Sequence, residues 1–377
     1  MIRALALLAA TLLLAALPAP ASAHKASDSY LSLRLDGGRV SGQWDIALRD
    51  LDYAIGLDGN DDGVITWGEV RARQDAIAAY AFSHLALQAG GAPCGIRPTG
   101  QLLDDHSDGA YAILRFEADC AAAPSRLGVD YTLLFDLDPQ HRGLLRVEAG
   151  GETQTAVLGP AQHRWSLAAA GDPRWRALRD YVTLGIWHIW TGFDHMLFLA
   201  ALLLPAVLVS RGGRWTAVAS FRVALGEVLK VVTAFTLAHS ITLSLAVLGW
   251  IALPSRLVES AIAASVVAAA LNNLYPVVEK RLWLVAFGFG LVHGMGFANV
   301  LTELGLPDGA LLISLAGFNI GVEIGQLAIV AAFLPTAFLL RRHWLYPRLA
   351  LGVGSACIAA LAAIWLAERS LDISLLS

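Results

Sequence analysis

The stretch GIWHIWTGFDHMLFLAALLL, residues 185–204, is apolar enough to lie in a bilayer, yet it carries three ionisable side chains. These side chains are His188, Asp194 and His195. An ionisable group at the centre of a membrane costs about 2.5–3.5 kcal/mol, so such residues usually mark a functional site. His188 and His195 are seven positions apart, which places them on one face of a continuous helix. The stretch therefore predicts a site inside a membrane bundle.

The composition divides the chain into an exported part and a membrane part. The chain has 377 residues, of which 56% are hydrophobic, and its mean hydropathy is +0.58. Such a chain is too apolar for one soluble domain, and the excess lies after residue 180. A net charge of −4 argues against a nucleic-acid partner. We predict a secretory signal peptide over residues 1–23, an exported domain over 24–175 and a membrane domain over 176–377.

The exported domain is predicted to be mainly β. Apolar and polar residues alternate over residues 30–35 and 40–48, on either side of the turn Asp36-Gly37-Gly38. This pattern indicates a hairpin. Residues 111–116, 131–137 and 144–147 are typical of further strands, so a small β-sandwich is the simplest interpretation. An exported domain also allows a disulfide between Cys94 and Cys120. The dispersed histidines of this domain are interpreted as surface residues; they are His84, His106, His141 and His163.

The segment DGNDDGVITWGE, residues 58–69, has the pattern of a twelve-residue EF-hand calcium loop. Oxygen donors stand at the required positions, with a glycine, Gly63, at the sharp turn. The predicted calcium ligands are Asp58, Asn60, Asp62, the carbonyl of Val64, Thr66 and Glu69. Residues 70–85 would form the exiting helix. The alternative is an acidic turn that binds no ion.

The membrane domain is predicted to be an all-α bundle of about six transmembrane helices. The apolar segments are 181–209, 229–250, 257–275, 282–304, 309–340 and 345–366. The loops that follow the first, third and fifth apolar segments carry most of the basic residues. These residues are Arg211, Arg214, Arg222, Lys280, Arg281, Arg341, Arg342 and Arg348. The opposite ends carry Arg256 and Arg369. The positive-inside rule then predicts a bacterial inner-membrane protein with its exported domain and its C-terminus on the periplasmic side.

Other predicted helices place further donors at membrane depth. His239, His293 and Glu323 come from three different segments, and Asn319, Glu323 and Gln326 form one polar stripe. Glycines around His293 would allow close helix approach. Imidazoles and carboxylates without cysteine suit borderline divalent cations such as nickel, cobalt, zinc or copper(II). The predicted transition-metal ligands are His188, Asp194, His195, His239, His293 and Glu323. The alternative is that these groups form hydrogen bonds between helices.

These motifs resemble the HupE/UreJ family of hydrogenase and urease accessory proteins, in a version with an exported N-terminal domain. The resemblance covers the first five apolar segments and depends on the H-x5-D-H motif, FTLAHSITL, HGMGF and FNIGVEIGQL. It implies nickel-permease-like transport, with His188, Asp194 and His195 capturing the metal, and partners in metalloenzyme assembly. In the second nickel-permease motif, F-H-G-x-A-H-G-x-E, this chain has Phe289 and Gly296 in place of a histidine and the glutamate.

We therefore expect a divalent transition-metal permease, of the nickel or cobalt type, with a calcium-binding exported domain. The expected ions are Ca2+ in that domain and Ni2+ or another divalent metal in the bundle. The chain has no G-x4-G-K-[ST] motif, so it does not itself use ATP by that route. Two alternatives stay open. One is an intramembrane metallohydrolase with Glu323 as general base, and the other is a non-transporting sensor or scaffold.

Overall fold

The structure is a computed structural model, and it describes residues 27–36, 39–106, 109–120, 127–167, 173–211, 214–298, 302 and 308–371. The predicted signal peptide, residues 1–23, lies outside these ranges. The chain divides into two compact units. One contains Lys25–Gly185 and Phe297–Gly321, and the other contains Ile186–Gly296 and Val322–Ser377. We describe the two units separately.

The first unit is mainly β. Its strands are β1 Asp28–Asp36, β2 Arg39–Ala47, β3 Leu85–Ala89, β4 Ala92–Pro93, β5 Gly95–His106, β6 Gly109–Asp119, β7 Leu127–Tyr131, β8 Arg142–Ala149, β9 Glu152–Leu158 and β10 Arg164–Ser166. Helices α1 Leu48–Ile55, α2 Trp67–Ala72 and α3 Gln74–Ser83 lie between β2 and β3. The expectation of a mainly β N-terminal region is confirmed.

The strands form two sheets that share one core. The larger has the order β5-β6-β2-β1-β8-β9, and the smaller has the order β10-β7-β3-β4. The predicted hairpin is present, with Leu31 opposite Trp44, and β1 pairs parallel with β8. Alternate residues of β1, such as Leu31 and Leu33, point into the core with Leu87 and Val129 of the smaller sheet. A disulfide joins Cys94 and Cys120.

Three expectations for this unit are wrong. The single exiting helix predicted over residues 70–85 is divided at Arg73 between α2 and α3, and Leu85 begins β3. The predicted strand 131–137 ends at its first residue, because the chain turns there and Leu134 adopts a φ of 60°. His141 is not a surface residue, since its side chain is fully buried. It is buried because both ring nitrogens find partners: Nδ1 lies 2.6 Å from Ser27 Oγ, and Nε2 lies 2.6 Å from Tyr131 Oη.

The C-terminal half of the chain is helical. Its helices are α4 Pro173–Thr191, α5 Phe193–Leu203, α6 Phe221–Val247, α7 Ser255–Leu274, α8 Leu282–His293, α9 Asp308–Leu340 and α10 Gly354–Leu371. A short hairpin of β11 Leu208–Arg211 and β12 Arg214–Ala217 connects α5 to α6. A π-helical stretch, Tyr346–Val353, leads into α10.

Membrane-capable helices are confirmed, but fewer than the six predicted. By length and apolar composition, four described helices can cross a membrane: Phe221–Val247, Ser255–Leu274, Leu311–Leu340 and Tyr346–Leu371. Helices α4 and α5 make a fifth if the bent pair counts as one span. The predicted segment 282–304 contains α8, which has 12 residues. Six spans therefore remain a prediction.

Contacts between the connecting segments show which helix ends lie together. Ser210 of the α5–α6 connection donates to Glu279 of the α7–α8 connection at 2.6 Å. Arg341, after α9, donates to the carbonyl of Val218 at 3.0 Å. These three connections carry the basic excess, so all of it lies at one end of the bundle. At the opposite end, Arg256 at the start of α7 donates to the carbonyl of Arg369 in α10 at 3.2 Å.

Candidate metal centre

A break in the helix at Gly192 organises the candidate site. Helix α4 ends at Thr191, α5 begins at Phe193, and their axes differ by 70°. A Cβ atom on Gly192 would lie 2.7 Å from the carbonyl oxygen of His188 and 3.0 Å from Nδ1 of His195. Because that space is filled, only glycine fits at the break.

The break brings two predicted ligands together. In a straight helix, residues seven apart are separated by about 10 Å along the axis. Here the ring centroids of His188 and His195 are 4.4 Å apart, in an edge-on arrangement. The two imidazoles therefore meet across a bend, and not on one face of a continuous helix as the spacing predicted.

A third imidazole, from α6, completes a close group. Donor nitrogens of His188, His195 and His239 all lie within 4.8 Å of one another. His239 is fully buried, and His195 is 7% exposed. Three imidazole nitrogens at this spacing need only small movements to share one divalent cation, whose bonds to nitrogen are about 2.0–2.1 Å for zinc.

A fourth histidine lies beside this group. The ring of His293, at the end of α8, is 5.4 Å from the ring of His195. Helix α8 reaches this position because its glycines allow backbone contact with α6. A Cβ on Gly294 would lie 2.2 Å from the carbonyl oxygen of His239, and one on Gly290 would lie 2.5 Å from that of Phe235. Of the glycines near His293, Gly290 and Gly294 therefore allow the close helix approach that was predicted.

Two of the imidazoles each have one nitrogen held and one nitrogen free. His195 Nδ1 lies 3.0 Å from Asp194 Oδ1, and His293 Nε2 lies 2.9 Å from Ser265 Oγ. The other nitrogens, His195 Nε2 and His293 Nδ1, are buried and have no hydrogen-bond partner among the described residues. Burying a polar atom without a partner is costly. A partner on one nitrogen that orients the other is the usual arrangement around metal-binding histidines.

Asp194 is next to the imidazole group but not part of it. Its Oδ1 accepts hydrogen bonds from the ring and from the backbone N–H of His195, the latter at 2.8 Å. Its Oδ2 lies 3.9 Å from Nη2 of Arg369, in α10. In this arrangement the carboxylate orients an imidazole.

Glu323, the other predicted carboxylate, belongs to α9 and contacts α6 nearer the start of that helix than His239. Its Oε1 accepts from Thr233 Oγ1 at 3.1 Å, and its Oε2 is buried without a hydrogen-bond partner in the described part of the chain. Thr233 is six residues before His239, about 9 Å along the helix. Gln326 accepts from Thr236 of α6 at 3.1 Å. Asn319 instead donates to the carbonyl of Leu315 in its own helix. Of the predicted polar stripe, Glu323 and Gln326 therefore bond to α6, and Asn319 bonds within α9.

A small cavity adjoins His195. Its volume is about 10 Å3, which is room for about one water molecule. Its polar lining residues are His195 and Gln326, and its apolar lining residues are Ile189, Phe198, Leu199, Leu202, Val232 and Phe235. The cavity therefore adjoins both His195 and Gln326, the residue of α9 that bonds Thr236 of α6.

Three residues of this site were missed by sequence reasoning: Gly192, Ser265 and Arg369. The glycine stands between two helical patterns and could have indicated a break. Arg369 was interpreted only as a basic residue at the chain's end. No sequence signal relates Ser265 to His293, since their helices meet only in the folded bundle.

The predicted calcium loop lies between two helices of the N-terminal unit. It follows α1 and runs into α2, whose first turn is capped reciprocally by Thr66 and Glu69. Asp58 Oδ2 accepts from the N–H of Gly63 at 2.7 Å, and Gly63 has a φ of +80°. Glu69 closes the loop by accepting from the N–H groups of Gly59 and Thr66, both at 2.9 Å.

These contacts keep one carboxylate of the loop ionised. Hydrogen bonds from the backbone and side chain of Thr66 hold the pKa of Glu69 below its usual value, so its carboxylate stays ionised. The other predicted donors, Asp58, Asn60 and Asp62, contact one another within the same loop. Oxygen donors at these positions are the ligands that Ca2+ takes in such loops.

Fold and site together define a membrane protein with buried histidines grouped inside an apolar helix bundle. Comparison with family models agrees with this class: the model described as HupE / UreJ protein matches residues 164–369, more than half of the chain. The chain belongs to the HupE/UreJ family. A search of curated proteins found no match.

Proposed function

We propose that the protein is a divalent transition-metal permease, of the nickel or cobalt type, and that the cation passes through the imidazole group of His188, His195 and His239. The observation that carries the proposal is the convergence of their donor nitrogens to within 4.8 Å inside a bundle of membrane-capable helices. Membership of the HupE/UreJ family supports it, because the resemblance of the motifs to that family implies nickel-permease-like transport. Neutral imidazoles favour borderline divalent cations over hard ones.

The route proposed for the cation has an entrance side and an exit side. The basic connections lie at one end of the bundle, and Arg256 and Arg369 lie at the other. By the positive-inside rule the basic end faces the cytoplasm. Asp194 is near Arg369, so the imidazole group is closer to the outer end. The cavity beside His195 and the polar groups Gln326 and Glu323 would then lie on the inward side.

Metal accumulation by cells that express the protein tests this function. We expect wild type to accumulate nickel or cobalt, and His195→Ala or His239→Ala to abolish the accumulation with membrane insertion unchanged. His343→Ala, beyond the end of α9, is the matched control and should accumulate metal normally. Unchanged accumulation in His195→Ala would remove the site from the mechanism. Zinc that stays bound without any accumulation would favour the intramembrane metallohydrolase.

We further propose that the loop of residues 58–69 binds Ca2+ and stabilises the N-terminal unit. The ligands would be Asp58, Asn60, Asp62, the carbonyl of Val64, Thr66 and Glu69. Support comes from the position of Glu69, whose carboxylate already spans the loop between Gly59 and Thr66. Calcium in this loop would fix α1 relative to α2 and so act as a structural ion.

A further inference from the structure

The two carboxylate oxygens of Asp194 face different partners. Oδ1 accepts from the ring and the backbone N–H of His195, at 3.0 and 2.8 Å. Oδ2 faces the guanidinium of Arg369 at 3.9 Å. The side chains of Asp194 and Arg369 are 21% and 19% exposed, so water covers little of the pair. Attraction between opposite charges is strongest where water is excluded.

The Arg369 side chain is itself fixed in place. Its Nη1 donates to the carbonyl of Glu259 in α7 at 3.4 Å, and its Cζ lies 5.9 Å from the ring centroid of Trp365. Arg256 holds the backbone of the same helix end by donating to the carbonyls of Arg369 and Ser370, at 3.2 and 2.6 Å. The guanidinium is therefore presented to Asp194 by contacts that do not involve the imidazoles.

We propose that Arg369 is a positioning residue that keeps the Asp194 carboxylate out of the metal's ligand set and thereby determines which cations the site accepts. This inference rests on the proposed function. A carboxylate beside a divalent cation would normally become a ligand, because its negative charge compensates the ion. Arg369 supplies that compensation, so Asp194 stays on His195 and the site offers nitrogen donors alone.

A site of neutral nitrogen donors discriminates between cations. Borderline ions such as Co2+, Ni2+, Cu2+ and Zn2+ bind imidazole well, whereas Mn2+, Mg2+ and Ca2+ prefer carboxylate and water. Removal of the Arg369 charge would free one carboxylate oxygen to approach the cation. The substrate class is thus borderline divalent cations, and loss of Arg369 would extend it toward harder ions.

The test compares Co2+ and Mn2+ binding by the purified full-length protein in detergent. We expect Arg369→Gln to bind Mn2+ better relative to Co2+ by about tenfold, which is the size of effect typical for groups that support ligands. The visible absorption of bound Co2+ should change with the entry of an oxygen ligand. Arg369→Lys should keep the wild-type ratio, because it retains the charge. Arg348→Gln, at the other end of the bundle, is the control and should behave as wild type.

The combined variant identifies the carboxylate as the cause. In Asp194→Asn/Arg369→Gln the gain in Mn2+ binding should disappear, because the freed oxygen is no longer charged. If Arg369→Gln does not fold, Arg369→Met gives the same loss of charge. An unchanged ratio in Arg369→Gln, or a gain that persists in the combined variant, would overturn the inference.

The result also separates this inference from the proposed function. His195→Ala is measured in the same experiment and should lose Co2+ binding. If wild type binds neither ion, or His195→Ala binds Co2+ as wild type does, the proposed metal site is wrong and the inference falls with it. If wild type binds and His195→Ala does not, the Arg369 variants alone decide the inference.

Discussion

His188 and His195 face each other across a 70° bend, with their ring centroids 4.4 Å apart. The bend depends on Gly192, where an added Cβ would lie 2.7 Å from the carbonyl oxygen of His188. A helix that continued without a break would place these imidazoles about 10 Å apart along its axis. The pair of rings is therefore a product of the break, and the metal centre proposed here requires it.

The first prediction concerns this break. Gly192→Ala should weaken Co2+ binding by the purified protein at least tenfold, because the new methyl group displaces the His188 carbonyl and the His195 ring. Gly288→Ala is a matched control in α8, since no atom lies within 4 Å of an added Cβ there. Equal Co2+ affinity in the two variants would contradict the proposed dependence on Gly192.

The second prediction concerns the contact between α6 and α8. Gly294→Ala should lower stability by about 1–3 kcal/mol, since its methyl group would lie 2.2 Å from the carbonyl oxygen of His239 and force the helices apart. Thermal unfolding in detergent measures the change. Gly226→Ala, in α6, meets no atom within 4 Å and should not destabilise the protein. A Gly294→Ala variant that unfolds at the wild-type temperature would show that the two backbones are not in close contact.

The third prediction is a pH dependence that arises from His141. Burial lowers the pKa of His141 to about 3, against 6.5 in an unfolded chain. Between these values the unfolded state binds a proton that the native state excludes. Stability that is fully present above pH 6.5 is therefore lost as the pH falls toward 3, by up to about 1.4 kcal/mol per pH unit.

The hydrogen bonds of the buried His141 ring agree with a neutral imidazole. Ser27 Oγ donates to Asp50 Oδ2 at 2.9 Å, so Nδ1 of neutral His141 donates to Ser27 Oγ and Nε2 accepts from the hydroxyl of Tyr131. A second proton on the ring would remove that acceptor and turn the Tyr131 hydroxyl toward Ser29 Oγ, 2.6 Å away. Thermal unfolding of the full chain between pH 7 and pH 4.5 should depend less on pH in His141→Gln than in wild type. His84→Gln is the control. Identical slopes in wild type and His141→Gln would exclude His141 as the source.

The fourth prediction concerns calcium. Ca2+ should raise the unfolding temperature of wild type, and Glu69→Gln should reduce that increase, because an amide cannot replace the bidentate carboxylate. Glu152→Gln, an exposed position in the same unit, is the matched control. An unfolding temperature that does not respond to Ca2+ in wild type would rule out a structural calcium ion.

Much of the fold was predictable because it depends on local patterns. Alternating residues identified the hairpin of β1 and β2, and long apolar runs identified the membrane-capable helices. The strand predicted at 131–137 failed because Leu133 and Leu134 are buried by a turn, which an apolar pattern does not distinguish from a strand. His141 was misinterpreted because its burial depends on Ser27, which is 114 residues away in the sequence.

The candidate site was predictable as a list of residues but not as a geometry. The rarity of ionisable residues in apolar segments indicated His188, His195, His239 and His293. Their distances depend on the bend at Gly192 and on the close approach of α8, neither of which has a periodic signal. The same holds for Arg369. Its contact with Asp194 joins α10 to α5, two helices that are far apart in the sequence.

The most direct measurement of the central claim is X-ray absorption at the nickel edge of the Ni2+-loaded protein. We predict a first shell of nitrogen with outer-shell scattering from three imidazoles, and the loss of one imidazole in His239→Ala. A spectrum without imidazole scattering, or one that is the same in wild type and His239→Ala, would contradict the proposed metal centre.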